Sequence, residues 1–139
     1  MERTRLAPLV GIVGSVVVLG LLLVPYGVVR TSPGTAVATY YGTGAVNPLF
    51  AGMLALVTAI VLAAGREERT DPVLAAGVGL SFGLFVVGLA TLWAVTVPEE
   101  VVVGIDGPRV LEYHRWAVAG VAATVPVASG WWARTLGLL

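Results

Sequence analysis

Apolar residues run in four blocks, 8–29, 45–64, 72–97 and 113–136, and none carries an acidic or basic residue away from its ends. Each block is near the ~20 residues an α-helix needs to cross a bilayer core. A charge at the centre of such a helix costs about 2.5–3.5 kcal/mol on insertion scales, so the clean interiors fit spanning segments. Between the blocks lie "RTSPGTAVATYYGTG", "GREERTD" and "PEEVVVGIDGPRVLE", where charges, most turn residues and several prolines collect. The pattern predicts an all-α fold: a four-helix transmembrane bundle, one integral membrane domain over residues 1–139. In the last linker a β-branched run precedes Asp106-Gly107 and a second apolar run follows, which predicts a short extracytoplasmic hairpin or hairpin-like lid. It carries Glu99, Glu100, Asp106 and Glu112.

Within the blocks, small residues recur every fourth position and so share a helix face. They are Ala51, Ala55, Ala59 and Ala63 in the second block, then Ala75, Gly79 and Gly83 in the third, where "GLSFG" is a GxxxG step. The fourth offers Ala119 and Ala123, followed by Pro126 and Gly130. Such ridges let helices approach closely where lipid supplies no hydrophobic drive, either inside one bundle or against a second copy or partner. Pro126 removes one backbone donor and predicts a kink, whose freed carbonyl needs a partner such as Thr124 or Ser129.

Composition strengthens the membrane reading. Hydrophobic residues make up 58% and charged residues 12% of the 139, against roughly 45–50% and 25% in ordinary soluble domains. Mean hydropathy is +0.94. Eight arginines, no lysine and eight acidic residues leave a net charge of zero, so no electrostatic footprint for nucleic acid exists. The absence of cysteine excludes disulfides and thiolate chemistry. With four crossings, Arg3, Arg5, Arg66, Arg69 and Arg134 share one side, and Arg30, Arg109 and Arg115 the other. Positive charge accumulates inside, so both termini are expected in the cytoplasm and the cell membrane is the expected location. The first block exceeds a signal-peptide core, and the "AVA" at 36–38 lies far beyond its end, so a retained helix is expected.

Two clusters could carry chemistry. "LEYHRW" holds the only histidine, His114, beside Glu112, Tyr113, Arg115 and Trp116. One imidazole without a second His or any Cys cannot build a closed metal or haem shell, so no metal and no cofactor are expected. Tyr113, Trp116 and a snorkelling Arg115 suit an interfacial anchor, with headgroup binding or proton exchange as the sharper alternative. The second cluster is "TYYGTGAVNP", in which Tyr40, Tyr41 and Asn47 form either an aromatic belt and helix start or a ligand site. A carrier or pump keeps an ionisable group within its spans. Here the span polar residues are Ser15, Thr58, Ser81, Thr91, Thr96, Thr124 and Ser129, types that bond their own helix backbone. Enzymatic activity is therefore not expected.

"YYGTGAVNPLF", "VTVPEEVVVGI" and "LEYHRWAVAG", spaced along four apolar helices, resemble a family of small haloarchaeal membrane proteins of unknown function. The resemblance covers nearly the whole chain, implies fold and source, and transfers no site residue. The expected role is a non-catalytic accessory or interaction subunit in the lipid bilayer, meeting a protein partner or itself through the small-residue faces. The alternative is an oligomeric transport or ligand-binding protein with a path lined by Ser, Thr and backbone groups.

Overall fold

The computed structural model describes residues 2–139; Met1 and the side chain of Arg3, counted above toward the inner charge, lie outside the described residues. The helices are α1 (Arg3–Val28), α2 (Pro33–Gly42), α3 (Leu49–Arg66), α4 (Pro72–Thr96), α5 (Glu99–Val103), α6 (Leu111–Ala122) and α7 (Thr124–Thr135). Three are long and apolar enough to cross a membrane: Thr4–Val28 of α1, Leu49–Arg66 and Pro72–Thr96. Their outward faces are apolar, with Val16, Leu23, Met53, Ile60, Phe85 and Val95 all exposed. Charged side chains gather at the two ends.

The fourth apolar block is divided. Pro126 has no N–H for the Ala122 carbonyl and its ring crowds that turn, so the helix stops at Ala122 and resumes at Thr124. Thr124 Oγ1 donates to the Val121 carbonyl at 2.6 Å, one residue before the freed group. Ser129, the other expected partner, is buried with a hydroxyl that meets no acceptor.

Packing is tightest where glycine meets backbone. A Cβ on Gly83 would lie 2.8 Å from the Pro126 nitrogen and 3.0 Å from its Cα, so α4 and α7 touch main chain to main chain. On Gly79 it would meet Leu62 and Ser129, each at 2.7 Å. Ala51, Ala55, Ala59 and Ala75 are buried too. α1, α3, α4 and α7 surround this contact, with α6 closing the far end against α1 and α4.

The long helices α1, α3 and α4 alternate in direction. At one end Arg5 Nη1 donates to the Arg66 carbonyl and Arg66 Nε donates to the Arg5 carbonyl, with Glu67 within 3.5 Å of Arg5 and 3.2 Å of Arg66. Asp71 starts α4 there by accepting from the Val73 N–H. The linkers 29–48 and 97–111 lie at the other end, where the structure departs from expectation twice.

Residues read as loop form α2, entered through Pro33 at its first turn and a left-handed Ser32. The hairpin-like loop is a correction: among the described residues no strand forms, and 99–103 is helical. Glu99 and Glu100 sit at the N-terminal end of α5, where the helix dipole favours negative charge. Pro108 has no N–H for a strand ladder. Asp106 turns instead to the α1–α2 link, accepting from Arg30 N at 2.7 Å through its carbonyl and from the Thr31 hydroxyl through its carboxylate.

Candidate functional site

The end that carries the linkers 29–48 and 97–111 encloses an aromatic core built from four elements. Pro25 lies inside α1. Its missing N–H leaves the carbonyl four residues earlier, Leu21, without a helical donor. His114 on α6 supplies one: its Nε2 hydrogen-bonds the Leu21 carbonyl at 2.5 Å. The next carbonyl, Leu22, accepts the Tyr41 hydroxyl from α2. A carbonyl can only accept, so Nε2 carries the proton and Nδ1 of the neutral ring accepts from the Tyr40 hydroxyl at 3.0 Å. Trp93 of α4 closes the circuit by donating from Nε1 to the Tyr40 carbonyl at 3.1 Å.

Rings fill the space around these bonds. Tyr40 stacks on Tyr41 with centroids 5.3 Å apart, and Trp93 meets the two edge-on at 5.0 and 5.4 Å. Such pairs add about 0.5–1.5 kcal/mol each beyond area burial. Gly44 makes the fit possible, since a Cβ there would stand 3.1 Å from the Trp93 ring. Burial pushes both phenols, on α2, above the ordinary tyrosine range, so they stay neutral hydrogen-bond donors.

The structure divides the residues singled out in the sequence. His114 is 6% exposed and joins Tyr40 and Tyr41 in the interior, whereas Tyr113 at 68% and Trp116 at 46% point outward. Arg115 lies over the Trp116 ring at 5.3 Å, and Glu112 is half-buried one turn before it. Asn47 stands apart: its Oδ1 accepts the Leu49 N–H and starts α3. Sequence reading missed Pro25, Leu21, Leu22 and Trp93. A usable signal existed, because a proline within an apolar helix predicts an orphan carbonyl and hence a donor from elsewhere.

Chemically the cluster is a closed set of donors and acceptors. Both imidazole nitrogens are engaged, and among the described residues no group of three or more His, Asp or Glu side chains is placed to hold a metal. No curated protein and no solved structure matches the chain. Residues 1–137 match a family of unknown function, and the protein therefore belongs to that family, DUF7548.

Proposed function

We propose that this chain is a four-helix integral membrane protein that works as a non-catalytic accessory or interaction subunit. The observation that carries the reading is the expenditure of its chemistry-bearing side chains on its own main chain. His114 and Tyr41 serve carbonyls of α1, Trp93 serves one of α2, and Ser15 and Thr58 donate to Gly11 and Leu54 one turn back. A group bound this way has committed its proton to the main chain and holds the fold together.

In this reading α1, α3, α4 and the kinked α6–α7 pair are the four crossings. The two 12-residue helices together match the length of a single span. The arginine bias supports both termini in the cytoplasm, with the α2 and α5 region outside. The arginine-only basic set and the acidic residues of the outer linkers support a haloarchaeal source.

The test is mild solubilisation of the expressed protein followed by native mass measurement. A distinct protein recovered in fixed stoichiometry is the expected result. A self-assembly of this chain alone that conducts a solute in vesicles would replace the accessory role with the transport reading.

A further inference from the structure

Among the described residues two arginines are half-buried, and their surroundings differ. Arg66, at the inner end, has Glu67 at 3.2 Å. Arg115, at the outer end, has no ion pair or hydrogen bond to its guanidinium among the described residues; the guanidinium lies over the Trp116 ring. Its Nε is enclosed by protein and meets no acceptor. A guanidinium drawn partly out of water without an anion leaves its charge uncompensated. The fork of Nη donors is the part an acceptor from outside the chain can still reach.

We propose that Arg115 anchors a site for the phosphate of a lipid headgroup at the outer end of α6. The inference rests on the membrane-spanning reading above. Arginine's planar fork matches phosphate oxygens in a bidentate way. Trp116 lies against the guanidinium and is itself half-exposed, so it forms the apolar flank at the water–hydrocarbon boundary where such rings collect. Tyr113, three residues before Trp116 on the same face, extends that flank outward. Glu112, one turn before Arg115 and half-buried, is an acceptor for hydroxyl donors and repels a second negative charge. The pair therefore favours an anionic headgroup that also carries hydroxyls, the chemistry of phosphatidylglycerol, over a bare phosphate monoester.

The experiment uses the full-length protein in detergent micelles doped with phosphatidylglycerol or phosphatidylcholine, with bound lipid read by native mass measurement. Preferential retention of phosphatidylglycerol is expected, falling about tenfold in Arg115→Gln, the loss of one charge-assisted contact. Arg115→Lys should fall between, since it keeps charge without the fork, and Arg134→Gln at the opposite end should retain lipid as the wild type does. Unchanged retention in Arg115→Gln overturns the site, and so does equal loss in Arg134→Gln. Displacement of the lipid by millimolar inorganic phosphate also overturns it, by assigning the arginine to a soluble anion. Should Arg115→Gln fail to fold, Arg115→Lys and Glu112→Gln decide: no change in headgroup preference in either refutes the proposal. Alkaline extraction of native membranes runs alongside. Release of the protein there would refute the membrane reading itself, whereas retention without lipid preference refutes the site alone.

Discussion

The bond between His114 and the Leu21 carbonyl exists because Pro25 cannot make its own, and that dependence can be measured. His114→Phe keeps a ring of similar shape and deletes both hydrogen bonds. The Leu21 carbonyl is left buried without a partner, at about 1–3 kcal/mol, and the Tyr40 hydroxyl loses its acceptor at a similar cost. Pro25→Ala restores an N–H aimed at Leu21, because α1 continues helically to Val28 beyond that turn. In the Pro25→Ala background, His114→Phe should therefore cost less by about 1–2 kcal/mol, the share that belonged to the carbonyl. The Tyr40 term and the altered ring volume occur in both backgrounds and cancel. Reversible unfolding in mixed micelles, followed by helical circular dichroism and by tryptophan emission, gives the four stabilities. Additivity within about 0.5 kcal/mol would show that the two residues do not share the carbonyl, and the account of the site would fail.

Gly83→Ala should destabilise by about 1–3 kcal/mol, because the new methyl meets the Pro126 backbone, while Gly88→Ala, with nothing within 4 Å, should be neutral or stabilising; equal thermal stabilities in detergent would refute the close crossing. Ser129→Ala should leave stability unchanged or slightly raised, since it removes a buried hydroxyl that has no partner, and a loss above about 1 kcal/mol would expose a bond not accounted for. Tyr40 and Tyr41 resist ionisation in the folded state, so their contribution is complete below the unfolded tyrosine value of about 10 and is lost as pH rises beyond it. Unfolding midpoints measured across that range should fall above about pH 10, and less steeply in the Tyr40→Phe, Tyr41→Phe double variant. Reporter tags at Leu139 and in the Asp106-Gly107 turn should report opposite sides of the membrane, with the turn outside; the reverse labelling would overturn the orientation.

The apolar blocks and the kink at Pro126 were legible in the chain because each follows from local chemistry: length, charge exclusion, and a missing donor. The glycine and alanine spacing of α3 and α4 likewise marks one face of a helix without reference to any neighbour. What lies against that face is a different matter. Gly83 touches the Pro126 backbone and Gly79 touches Ser129 only because α4 and α7 cross there, and no spacing within either helix contains that crossing. The linkers misled for the same reason. Residues 33–42 and 99–103 are too short to be stable helices alone; they persist because Val37, Tyr40, Tyr41 and Val102 are buried against the longer helices. His114 shows the limit most clearly. Its neighbours in sequence, Tyr113 and Trp116, face outward and suggested a membrane boundary for all of them. Its partners in space, Leu21 and Tyr40, lie 93 and 74 residues away. A side chain's own helix determines which way it points, but only the packing of four elements around the gap at Pro25 decided that this one would be a buried donor.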